Sequence, residues 1–128
     1  DAWARTEIAS IPASHRKLVT SHDAFGYFGA RYDIAVCQSA LESVTTEAAD
    51  PSAQAMAAVV DQIKAEKIPV IFMEATQSPR LIDQVASAAQ VKVGPPLYSD
   101  SLGRPGSPGD TYIKMIQYNV RSIINALQ

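Results

Sequence analysis

Three side chains able to bind a metal stand directly behind short apolar runs. They are His22 in Ser21-His22-Asp23, Glu74 after Val70-Ile71-Phe72-Met73, and Asp100 between Ser99 and Ser101. An imidazole together with carboxylates makes a borderline donor set suited to Zn²⁺ or Mn²⁺. The three lie too far apart in sequence to share one element, so this chemistry requires the fold to gather them. A histidine and one carboxylate are also too few, because zinc generally takes four ligands. The others would have to come from another lobe or chain. Each residue has a plainer use as well: His22 as a loop or capping residue, Asp100 as a turn former ahead of Gly103. For Glu74 a bracing role beside the strand is favoured over direct ligation. Phe25, Tyr27 and Phe28 read as core and pocket wall, and His15 as a surface residue with no partner in sequence.

The elements that would position these residues alternate. Lys17 to Thr20 reads as a strand, Phe25 to Tyr32 as a helix and Asp33 to Cys37 as a second strand. A polar loop from Gln38 leads to Asp50, read as a helix cap with Pro51 at the first helical position. Met56, Val59, Val60 and Ile63 then share one face at helical spacing. Val70 to Met73 is a continuous apolar run of the kind buried on both faces of a sheet. Ser78-Pro79 opens a helix with Leu81, Ile82, Val85 and Ala89 on its inner stripe. Val91 to Leu97 holds a fourth strand that Pro95-Pro96 must end or push to an edge. Gly103 to Gly109 is a loop. A last helix from near Asp110 buries Ile116, Val120, Ile123, Ile124 and Leu127.

Strand and helix in alternation imply an α/β fold: a four-stranded parallel sheet with helices on both faces, joined by right-handed crossovers. Ligands of such sheets bind beyond the carboxyl ends of the strands, which is where His22, Glu74 and Asp100 fall. Residues 1–15 read as the end of a preceding helical region and 16–128 as the lobe itself. The opening, Asp1-Ala2-Trp3-Ala4, already runs in a helical pattern and suggests the tail of a longer protein.

Bulk properties narrow the classes. The chain has 128 residues, 47% hydrophobic and 19% charged, enough for one compact domain. A net charge of −2, with basic residues dispersed, argues against nucleic acid. No apolar run approaches the ~20 residues needed to span a bilayer. The single cysteine, Cys37, cannot form an internal disulfide and reads as a small buried core residue. Gly103-Arg104-Pro105-Gly106 lacks the Lys-Ser/Thr ending of a phosphate loop.

The string Leu18-Val19-Thr20-Ser21-His22-Asp23-Ala24-Phe25-Gly26-Tyr27-Phe28 resembles the opening of the C-terminal lobe in zinc/manganese solute-binding proteins of ABC transporters, the TroA-like family (cluster A-I). The likeness continues in order through Asp50-Pro51-Ser52, Val70-Ile71-Phe72-Met73-Glu74, Leu97-Tyr98-Ser99-Asp100-Ser101-Leu102-Gly103 and Asp110-Thr111-Tyr112 to Asn119. The resemblance implies a two-lobe protein whose cleft holds the metal. His22 and Asp100 match this lobe's ligand positions, with two histidines from an N-terminal lobe completing the sphere. Glu74 matches an acid at the cleft floor, with Ser21, Phe25, Tyr27 and Ser99 around the site. It further implies capture of Zn²⁺, with Mn²⁺ as alternative, and delivery to an ABC membrane permease. The place implied is the periplasm or the outer face of the cytoplasmic membrane, with or without a lipid anchor, and no catalysis is implied. Histidine rather than glutamate at position 22 softens the site toward zinc. The imidazole must be neutral to bind, so capture should weaken as pH falls through its titration.

Two other classes compete. A metal-dependent hydrolase would use Glu74 as general base, but the chain has no HExxH-like ligand pair. An adhesin-like interaction module would bind its partner with or without metal.

Overall fold

The computed structural model describes residues 1–20, 23–37, 52–74 and 79–128. Helix α1 (Ala2–Ile8) leads through a short 3-10 turn (Ala13–His15) into β1 (Lys17–Thr20). There follow α2 (Gly26–Tyr32), β2 (Ala35–Cys37), α3 (Ala53–Ala65), β3 (Val70–Phe72), α4 (Pro79–Ala89), β4 (Lys92–Val93) and α5 (Tyr112–Leu127). The strands form a parallel sheet in the order β2-β1-β3-β4, as the alternation implied.

This order follows from the handedness of the crossovers. The chain leaves β1 toward β2 over one face through α2, then reverses direction and reaches β3 over the other. A right-handed connection that reverses its direction must change faces. Accordingly α2 packs with α1 and α5 on one side of the sheet, and α3 and α4 lie on the other. The strand residues alternate to serve both layers. Leu18, Val70 and Phe72 join Ile8, Phe25, Val120 and Ile123; Val19 and Ile71 join Val59, Ile63, Ile82 and Val85. Direction reverses between β1 and β3, so the crevice where such sheets bind ligands opens at their carboxyl ends.

Several local expectations shift. The cap of α3 is Ser52, whose Oγ accepts the Ala55 N–H at 3.1 Å, so the helix begins at Ala53 and not at Pro51. Likewise α5 is capped by Thr111, whose hydroxyl accepts from the Lys114 N–H, so the helix begins at Tyr112, two residues after Asp110. A hydroxyl that can reach the third N–H closes an open helix end, and in both places it lies nearer the apolar stripe than the aspartate does. The strand expected over Asp33 to Cys37 starts at Ala35, because Asp33 ends α2 in the left-handed conformation at φ 57°. β4 is cut to two residues, since Gly94-Pro95-Pro96 cannot sustain a ladder; pairing resumes only in the bridge between Glu74 and Leu97. Cys37 is half-buried and not a closed core residue. The loop read over Gln38 to Asp50 lies outside the described residues, as does Ser78.

Candidate metal site

The carboxyl edge of the sheet is built from the ends of β1, β3 and the segment after β4. Thr20, the last residue of β1, pairs with Phe72 of β3 and is buried. His22 and Ser21, which follow it, lie outside the described residues. Two residues past Phe72, Glu74 is only 1% exposed. Buried carboxylates need partners, and Glu74 Oε2 accepts the hydroxyl of Ser99. That bond joins the end of β3 to the residue directly before Asp100. Asp100 itself is exposed at the rim.

The segment carrying Asp100 is held from behind by α5. The Asn119 side chain, 2% exposed, receives the Tyr98 N–H on its Oδ1 at 3.0 Å and donates through Nδ2 to the Tyr98 carbonyl at 2.7 Å. Its amide thus takes the place of a neighbouring strand for one residue. The Tyr98 ring meets Tyr118 edge-on, with ring centroids 5.3 Å apart. The returning loop closes on the same ring: Gly103 donates its N–H to the Gly109 carbonyl at 2.8 Å. A Cβ on Gly109 would lie 2.5 Å from Tyr98 Cε2, and one on Gly103 would lie 2.9 Å from Cε1. Only glycine lets the backbone approach the ring this closely. Past the ring, Asp110 accepts the Gly106 N–H at 3.0 Å and pairs with the Lys114 ammonium at 2.9 Å. The Lys114 hydrogen bond, then that from Gly106, holds the Asp110 carboxyl below its usual range.

The sequence-derived residues therefore divide. Glu74, Ser99 and Asp100 come together at one edge. Phe25 is buried behind them in the core, and Phe28 packs edge-on to it at 5.9 Å. Tyr27, expected as core or pocket wall, is 96% exposed at the second position of α2 and so is not part of the core. Glu74 is closed in by Ser99, a poor setting for a general base that must reach water. His15, read as partnerless, lies 3.2 Å through Nδ1 from the Leu127 carbonyl at the end of α5. Asn119 was not singled out in the sequence. Its signal was there: a polar residue at the i+4 step between Met115 and Ile123, in an otherwise apolar stripe.

Among the described residues no group of three or more His, Cys, Asp or Glu could hold a metal. A groove of about 500 Å³ lies elsewhere, between Trp3, Arg31, Tyr32, Tyr112 and Ile113, and contains none of Glu74, Ser99 or Asp100. No helix among the described residues is long and apolar enough to cross a membrane.

A doubly wound parallel lobe that presents acids at its switch point defines a class of ligand-binding lobes. Within it, residues 1–126 match the family model described as ZnuA, zinc-uptake complex component A, periplasmic, and the chain belongs to that family. The manganese-binding lipoprotein MntA of Bacillus subtilis is 36% identical over all of this chain and 42% of its own length. The zinc-binding protein TroA of Treponema pallidum is 36% identical over 99% of the chain and 42% of its own length. Among solved structures, the periplasmic zinc-binding protein TroA from Treponema pallidum superposes with a TM-score of 0.82 at 34% identity, covering 99% of this chain and 47% of that one. A cadmium-bound periplasmic metal-binding protein from Candidatus Liberibacter asiaticus gives 0.80 at 25% identity, covering 99% of this chain and 46% of that one. The chain thus spans less than half the length of these relatives.

Proposed function

We propose that the chain is the C-terminal lobe of a two-lobe solute-binding protein that captures a divalent transition-metal ion. The protein works in the periplasm or on the outer face of the cytoplasmic membrane and passes the ion to an ABC permease. In this reading His22 and Asp100 are the lobe's ligands, and an N-terminal lobe supplies the remaining two. Glu74 is not a ligand; it acts through Ser99. The ion is cargo, and the site carries out no bond chemistry.

The observation that carries the reading is the placement of Asp100. It stands at the carboxyl edge beside the switch point, on a segment tied to both β3 and α5. A second lobe is supported by the same edge. Leu102, two residues past Asp100, and Tyr27, which stands at the start of α2 after β1, are 51% and 96% exposed. Zinc is placed first and manganese second, because an imidazole in the set favours zinc in the affinity order. The relatives' names include both metals.

The test is elemental analysis of the full-length protein as purified, with zinc titration of wild type, His22→Ala and Asp100→Ala. Loss of a residue that merely supports a ligand costs roughly 10–100-fold in affinity, so loss of either ligand should cost more. About one metal per chain, retained by neither variant, is the expected result. Wild type without metal, or variants that bind as tightly as wild type, would refute the reading.

A further inference from the structure

We infer that Asn119 is the residue that positions the Asp100 carboxylate, although it sits in the inner stripe of α5 and touches no ligand. The inference rests on the reading of Asp100 as a metal ligand.

A carboxylate on an exposed loop makes a poor ligand unless its backbone is fixed on both sides, because ordering it at the moment of binding would consume much of the binding free energy. Asp100 is fixed in this way. Upstream, Leu97 is fully buried and donates its N–H to the Met73 carbonyl at 2.9 Å, the last sheet contact before the segment leaves. The next residue, Tyr98, has both of its backbone groups consumed by the Asn119 amide, at 3.0 and 2.7 Å. Ser99 is then held by Glu74. Downstream, the Gly103 to Gly109 closure wraps the Tyr98 ring. Both ends of the 99–102 stretch therefore refer back to Tyr98, and Tyr98 refers to Asn119.

The amide suits this work for a physical reason. It is 2% exposed, with Val120 and Ile123 fully buried beside it, so its rotamer is held by packing. It offers one donor and one acceptor in a plane, matched to the N–H and carbonyl of one extended residue. No apolar residue of similar size supplies either bond. Buried polar groups that orient ligands in this indirect way commonly govern affinity by about 10–100-fold.

The experiment uses the full-length protein with Co²⁺ as probe, because its visible absorption bands report ligand number and geometry. Wild type is compared with Asn119→Ala and Asn119→Asp. The aspartate keeps an acceptor toward the Tyr98 N–H and loses the donor toward its carbonyl. Ser122→Ala serves as control: Ser122 is 6% exposed on the same helix and forms no part of the Tyr98 clasp. At a temperature where circular dichroism shows all of them folded, Asn119→Ala should lose about 10–100-fold in Co²⁺ affinity with altered bands. Asn119→Asp should lose less, and the control should keep wild-type bands. If the alanine variant does not fold, the aspartate decides.

Asn119 variants with lowered melting temperature but wild-type affinity and bands would show a purely structural role and overturn the inference while leaving the metal reading intact. A wild type that takes up no Co²⁺ and no zinc would overturn the metal reading, and this inference with it.

Discussion

Replacing Gly109 with alanine places a methyl carbon 2.5, 2.7 and 2.8 Å from three atoms of the Tyr98 ring. Carbon atoms pack best at about 3.5–4.0 Å, so the overlap is about 1 Å. The ring has little room to retreat. Gly103 lies against its other edge, Tyr118 is 5.3 Å away edge-on, and the Tyr98 backbone is clasped by Asn119. Overpacking of this kind costs about 1–3 kcal/mol. Alanine also stiffens the unfolded chain, which returns about 0.4–1 kcal/mol; Gly109 has no positive φ to penalise it. The net loss is of order 1–2 kcal/mol, which lowers the melting temperature by several degrees.

Thermal unfolding followed by circular dichroism measures this loss, and a double-mutant cycle tests its cause. In a Tyr98→Leu background the clash partner is gone, and the cost of Gly109→Ala should fall below about 0.5 kcal/mol. An undiminished cost in that background would refute the account of a ring wedged between two glycines.

Two further outcomes concern titrating groups. Burial, and then the hydrogen bond and charge of Glu66, push the Cys37 thiol up to about 11. At pH 8 it is therefore thiolate to only about one part in a thousand, against about a quarter for an ordinary thiol near 8.5, and iodoacetamide should label it about two orders more slowly. Labelling at the rate of a free cysteine would contradict this. Because the folded thiol titrates above the unfolded one, the associated stability is intact below pH 9.0 and is lost as pH rises toward about 11. For Asp110 the sign is opposite. Its depressed pKa supports the fold above the ordinary carboxylate range, and that support fades as pH falls through the depressed value. Lys114→Ala should return the pKa toward the ordinary value in an NMR titration, and an unmoved pKa would count against the ion pair as its main cause.

Element order was legible because burial writes itself into spacing. The run Val70-Ile71-Phe72 can only lie between two apolar layers, and Ile82, Val85 and Ala89 can only share one helix face. Boundaries were less legible. Among the described residues, the left-handed positions that follow α2, α3 and α4 are Asp33, Lys67 and Gln90, none of them glycine, so the usual stop signal was missing there. The acids of the candidate site could be found because each follows a strand end. Asn119 could not be found that way, since its work is defined by a backbone segment 21 residues away that no spacing rule links to it.

The short fourth strand has a consequence for how copies of this molecule behave together. A sheet edge normally offers a row of open amide and carbonyl groups on which another chain can grow. Here that edge is Lys92 and Val93 alone, followed by Gly94 and by two prolines that carry no N–H to offer. A charged side chain and a ladder that stops after two residues give an incoming strand nothing to extend. Copies that meet at this edge therefore find little there on which a fibre could be templated.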